Sequence, residues 1–259
     1  MVIPNTQQTL AGRTAIVTGA GGGIGEAIAR ALADAGAQVI VVDADERLGQ
    51  SVAESINASG GIASSFAVDA TNSAAVEATV RATLKNSAAI DIIVNNVGGY
   101  RTMRKTWEIP EQEWDDIIAL NLKSTFLWSK ATIPGMLERS HGRIINLTSG
   151  AGKTGAGMTL SAAHYAASKA AVRGLTWHLA HELATHGITV NAIAPGPTNT
   201  ARFRNVRTPD ATAALIAKIP MRRLAETGNI ADAAVFLASD QASYITGITL
   251  DVSGGWTMS

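Results

Sequence analysis

Apolar positions along this chain alternate between two periods. Short β-branched or apolar runs at 13–19 (RTAIVTG), 37–45, 61–69, 90–96, 142–149, 187–195 and 247–255 predict seven strands. The run at 37–45 (AQVIVVDAD) is continuously apolar up to its last residues, as expected of a strand covered on both faces. Between the runs the apolar spacing turns helical, at 24–36 and near 73–87, 111–137, 162–186 and 228–239. Strands separated by helical crossovers predict an α/β fold: a doubly wound, seven-stranded parallel sheet flanked by helices. No Pro/Gly/Ser linker, charge block or internal repeat interrupts the 259 residues, so one domain over 1–259 is expected. Ligands of such sheets sit beyond the carboxyl ends of the strands. The residues that follow each strand are therefore the informative ones.

The first strand runs into TGAGGGIG (18–25), which opens the first helix. The pattern is T-G-x-x-x-G-x-G, with Gly19, Gly23 and Gly25, and not the G-x-G-x-x-G fingerprint, whose last position would fall on Ile24. Glycines there permit a tight turn and let a pyrophosphate approach the helix N-terminus. Taken alone, the stretch leaves a glycine-rich turn with no ligand as the competing, less favoured reading. The second strand ends in Asp43, near the distance at which a carboxylate hydrogen-bonds adenosine ribose hydroxyls and repels a 2′-phosphate. No Arg or Lys lies in the glycine loop, and Ala44 follows Asp43. These features favour NAD over NADP, although a single Asp in a turn also serves simply as a cap.

The stretch SAAHYAASKAA (161–171) is mostly small residues, with Tyr165 and Lys169 four positions apart. On a helix they share one face. An ammonium beside a phenol should favour the phenolate and lower its pKa from about 10. A Tyr tuned in this way can exchange a proton with an alcohol or ketone. By itself Y-x-x-x-K is common on helix surfaces.

The motifs occur in an order that is specific. T-G-x-x-x-G-x-G (18–25), NNVG (95–98), NLTSGAG (146–152), YAASK (165–169) and NAIAPG (191–196) resemble those of the classical short-chain dehydrogenase/reductase family, and residues 236–255 look like its C-terminal signature. The resemblance spans nearly the whole chain. It implies a Rossmann fold and an NAD-dependent oxidoreductase that moves hydride between nicotinamide and a secondary alcohol or ketone. It implies that Tyr165 is the general acid/base. Lys169 would bind the nicotinamide ribose and lower the Tyr165 pKa, Ser149 would hold the substrate oxygen, and Asn121 would hold a proton-relaying water. On residues alone, Asn121 reads equally as a local turn cap. The cofactor would meet Gly19, Gly22, Gly23, Ile24 and Gly25, then Asp43, with Asp69 and Ala70 bordering the adenine. Asn95, Val97 and Gly98 would line its groove. Ile193, Pro195, Gly196, Thr198 and Thr200 would meet the nicotinamide end. The loop from Ser149 to Tyr165 is longer than commonly seen in the family. Ser161 is therefore a rival for the serine role, but it reads better as a helix cap.

Composition narrows the setting. Lys plus Arg equals Asp plus Glu at 21 each, so no footprint for nucleic acid or an anionic membrane is present. Cysteine is absent, and no His/Asp/Glu cluster suggests a metal. No apolar run reaches about 18 residues and the first residues lack a signal-peptide pattern, so a cytoplasmic protein is expected. Large apolar residues at Trp114, Trp128, Leu175 and Trp177 lie on the helices that pair between subunits in this family, which implies a homotetramer. A substrate lid is expected near 198–226. Basic residues gather at YRTMRK (100–105) and ARFRNVR (201–207) with no acid inside either run. Arg101, Arg104, Arg202 and Arg204 could grip an anionic, sugar-type substrate, or could simply be solvated. Two other readings remain. One is a reductase of 3-oxoacyl chains on acyl carrier protein, weakened because such enzymes tend to have a basic residue just before GITVN, where this chain has His186. The other is a non-catalytic NAD-binding regulator.

Overall fold

The computed structural model describes residues 9–100, 103–153 and 162–258. Its strands are β1 (Thr14–Thr18), β2 (Gln38–Asp43), β3 (Ile62–Ala67), β4 (Ile92–Asn95), β5 (Gly142–Leu147), β6 (Ile188–Pro195) and β7 (Thr249–Val252). They form one parallel sheet in the order β3-β2-β1-β4-β5-β6-β7. Its helices are α1 (Gly23–Asp34), α2 (Glu46–Ala58), α3 (Ser73–Asn86), α4 (Glu111–Ile118), α5 (Ser124–Arg139), α6 (Ala163–Leu183), α7 (Ala201–Asn205), α8 (Pro209–Ile216) and α9 (Thr227–Ala238). The two-residue period of the strands feeds two cores. Ala15, Val17, Val39, Val41, Ile92 and Val94 pack with α1 and α9 on one face. Ile16, Ile40, Ile93 and Ile144 pack with Val80 of α3, Trp128 of α5 and Leu183 of α6 on the other.

Three features depart from the sequence pattern. Helix α2 lies in a stretch not singled out by its apolar spacing. Asp45 caps it by accepting from the amides of Arg47 and Leu48, and Gly49, Val52, Ala53 and Ile56 form its buried stripe. The expected helix at 111–137 is split by a π turn over Ala119–Lys123 that holds Asn121. Strand β3, at the sheet edge, is mostly exposed or half-buried.

The strand order reverses between β1 and β4, so a crevice opens at their carboxyl ends. The glycine loop, NNVG, Ser149 and Pro195–Gly196 all leave strands on that edge. The 198–226 segment is pinned where it starts and ends. Thr198 bridges Ala225, and the Asn199 amide donates to the Ala225 carbonyl at 2.8 Å. Between those points α7 and α8 form an excursion from the sheet. No helix among the described residues is long and apolar enough to cross a membrane.

Candidate active site

The glycine loop is built by contacts that exclude side chains. Gly19 and Gly23 sit at φ +62° and +61°, where glycine is favoured. Gly25 packs beneath the turn, where a Cβ would collide with the Gly19 carbonyl oxygen and stand 2.5 Å from Asn96 Nδ2. Asn96 holds the loop from β4, its Nδ2 donating to the carbonyls of Thr18 and Gly19 at 3.0 Å each. The Asn96 amide in turn donates to the Thr18 hydroxyl. Gly22 is the N-cap of α1 and supplies no side-chain cap. A Cβ added to it would meet nothing within 4 Å. First-turn amides without a side-chain cap suit a phosphate. Ile24 follows in that first turn. This cradle fits a dinucleotide.

Asp43 closes the loop from β2. Its Oδ2 accepts from the Gly21 amide at 2.8 Å and its Oδ1 from the Asp45 amide at 3.0 Å. A carboxylate has roughly four acceptor positions, so capping leaves capacity for ribose hydroxyls. Asp69 is exposed and held below the usual carboxylate range, first by the Thr71 amide and then by the Thr71 hydroxyl. Ala70 beside it is buried. Val97 packs near Gly19, and Thr200 lies close to Gly23. Gly196 is pressed onto the backbone of Ser253, after Pro195, and Thr198 donates to the Gly196 carbonyl. Two residues expected to meet the cofactor, Asn95 in its groove and Ile193 at its nicotinamide end, have buried side chains. Asn95 is buried, donating to Ser129 Oγ and Asn146 Oδ1, while its own Oδ1 has no hydrogen-bond partner. Ile193 lies in the core of β6. The neighbouring Asn96, which the motif reading passed over, is the one that shapes the loop.

Tyr165, Ser149, Lys169 and Asn121 converge beyond β4 and β5. Ser149 follows β5 and accepts from the Ala151 amide, and its side chain favours the Tyr165 phenolate. Ser161 lies outside the described residues. The Lys169 ammonium is buried, 2.7 Å from the Leu147 carbonyl and 5.9 Å from the centre of the Tyr165 ring. Desolvation depresses its pKa to about 8. Asn121 is wholly buried in the π turn. Its Nδ2 donates to the carbonyls of Ile117 and Gly99, and its Oδ1 accepts from the Gly99 amide. Both amide hydrogens are engaged by protein carbonyls, so the side chain acts here as a clamp on the segment following β4. That clamp brings Gly98 against Lys169, where a Cβ would stand 2.8 Å from Nζ.

The expected fall in the Tyr165 pKa is corrected by this geometry. Burial pushes the phenol above its ordinary value, and the Ser149 hydroxyl opposes that rise. The Lys169 charge is directed to Leu147, so helical spacing alone overstated its effect. The arginines also divide. Arg202 of α7 donates to the Gly98 carbonyl at 3.1 Å. Arg204 is bonded to Asn199, and Arg104 is paired with Glu113 of α4, an acid outside its own run. Arg101 lies outside the described residues.

A family model described as enoyl-(acyl carrier protein) reductase matches residues 19–257. The chain is 41% identical over 249 residues to the 3-oxoacyl-[acyl-carrier-protein] reductase FabG of Vibrio cholerae, covering 96% of this chain and 99% of that one. A 3-oxoacyl-[acyl-carrier protein] reductase from Brucella melitensis, solved with bound NAD, superposes with a TM-score of 0.91 at 35% identity, covering 100% of this chain and 99% of that one. A candidate NAD(P)-dependent gluconate 5-dehydrogenase from Beutenbergia cavernae, solved with NADP at low occupancy, superposes with a TM-score of 0.89 at 37% identity, covering 97% and 99%.

Proposed function

We infer the reaction from one premise: this chain belongs to the classical short-chain dehydrogenase/reductase family and is an oxidoreductase acting on carbonyl or CH–OH groups. We propose that it reduces a 3-oxoacyl thioester to the 3-hydroxyacyl form, or runs the reverse. The observation that carries this is full-length similarity to a 3-oxoacyl reductase around a site that brings Tyr165, Ser149 and Lys169 together. A bound nicotinamide supplies the hydride. Ser149 holds the substrate oxygen, and the Tyr165 hydroxyl gives that oxygen its proton. Lys169 and the clamped Gly98 support the nicotinamide ribose. The glycine loop seats the pyrophosphate.

An anionic hydroxy acid is the second reading. It is favoured by the gluconate 5-dehydrogenase-like neighbour and by Arg202 at the crevice. It is weakened because Arg104 and Arg204 are already bonded to Glu113 and Asn199. Turnover of acetoacetyl and longer 3-oxoacyl thioesters beside oxo acids and keto sugars separates the two. If only oxo acids or keto sugars are turned over, the thioester proposal fails.

We also propose NAD as the preferred coenzyme, because Asp43 places a negative charge at the end of β2. Asp43→Ala is expected to weaken NADH binding and to bring NADPH closer to it, as read from kcat/KM for both coenzymes. A wild type that prefers NADPH contradicts this. A homotetramer is the proposed assembly. Trp114 and Trp177 are partly exposed on α4 and α6, whereas Trp128 is wholly buried in its own core. Light scattering should give about four subunit masses, and a monomer mass would refute it.

A further inference from the structure

His164 immediately precedes Tyr165, and the proton transfer proposed above does not use it. Its ring is fully buried, yet both nitrogens are engaged. The main-chain N–H of Tyr165 donates to His164 Nδ1 at 2.8 Å. That amide lies in the first turn of α6, where amides lack a helical partner, and Ala162 at the N-cap has no side-chain cap to offer. With Nδ1 accepting, the ring proton is assigned to Nε2, which donates to Glu113 Oε1 at 3.2 Å. Glu113 Oε2 in turn accepts from Arg104 Nε at 2.9 Å. The His164 hydrogen bond, followed by Arg104, holds the Glu113 carboxyl below its ordinary range. On the other side, Tyr100 packs against the Tyr165 ring with centroids 5.0 Å apart.

We propose that His164 is a positioning residue for Tyr165. Anchored by Glu113 and Arg104, it holds the Tyr165 amide and so sets where the phenol stands relative to Ser149. An ordinary helix start needs only a Ser, Thr, Asp or Asn at its cap. Here a buried imidazole links the catalytic helix to an ion pair built from α4 and the segment after β4. Arg104, one of the candidate substrate arginines, is the outer member of that anchor. The proposal rests on Tyr165 carrying the proton.

The test compares His164→Ala, His164→Asn and Glu113→Ala in the full-length protein. Turnover is measured together with NADH affinity by quenching of tryptophan fluorescence. Asn places Oδ1 where His has Nδ1, so it can still accept from the Tyr165 amide. A shift of 1 Å at a reacting group costs about a hundredfold, so His164→Ala is expected to lower kcat about tenfold with NADH affinity within about twofold. Asn should restore kcat to within about threefold of wild type. Glu113→Ala, which leaves α6 untouched, should lower kcat with NADH affinity kept. It carries the test if His164→Ala does not fold. Wild-type turnover in Glu113→Ala or His164→Ala overturns the proposal, as does a loss that Asn does not restore or that NADH affinity follows. Tyr165→Phe separates the two failures. If it is inactive while His164→Ala is normal, only the positioning role falls. If Tyr165→Phe turns over normally, both fall.

Discussion

Tyr165→Phe should lower turnover by at least about a hundredfold, the scale of a lost general acid/base. The substitution keeps the ring, and with it the contact to Tyr100 at 5.0 Å. It also keeps the main-chain bond to His164. Only the hydroxyl that faces Ser149 disappears. Folding and NADH affinity should therefore be unchanged, which places the loss in kcat. Near-normal turnover would remove Tyr165 from the chemistry. A parallel loss of NADH affinity would instead show that the phenol supports the binding site.

Gly25→Ala should cost stability and coenzyme binding together. The new methyl would collide with the Gly19 carbonyl oxygen and crowd Asn96 Nδ2. Neither can withdraw easily, because the same Asn96 group ties the Thr18 and Gly19 carbonyls to the end of β4. Overpacking of this kind costs about 3 kcal/mol, or roughly 6–12 °C in Tm for a chain of this size. NADH binding should fall below detection because the loop proposed to seat the pyrophosphate would be displaced. Gly22→Ala is the contrast. Its backbone is extended and a Cβ there meets no protein atom within 4 Å, so the fold should be unaffected. A Tm for Gly25→Ala equal to that of the wild type would contradict the packing described for this turn.

Much of the architecture was legible because its cause is local. The seven strands announce themselves by β-branched runs, and Gly19, Gly23 and Gly25 by a spacing that the turn demands. Helix α2 was legible in principle, since Val52, Ala53 and Ile56 are spaced for one face. Its polar composition masks the stripe. The site was less legible wherever a partner comes from a distant segment. Arg104 looks unpaired in its run, yet its acid is Glu113 on the following helix. His164 and Glu113 are separated by 51 positions, and no motif links them. Asn121 sits in a π turn, and both ends of its amide are bonded to Gly99, 22 positions away. Tyr165 and Lys169 were correctly placed on one helix, but four-residue spacing says nothing of burial. Burial is what dominates both of their pKa values.

The reaction proposed for the site formed by Tyr165, Ser149 and Lys169 is hydride transfer to a 3-oxoacyl carbonyl carbon. The most direct measurement uses NADH carrying deuterium at the transferable position of C4, a 3-oxoacyl thioester and the wild-type protein, with mass analysis of the product. The expected product is a 3-hydroxyacyl thioester with one deuterium on C3, formed at least about a hundredfold more slowly by Tyr165→Phe. Unchanged thioester, or a hydroxyl product without the label, would contradict it.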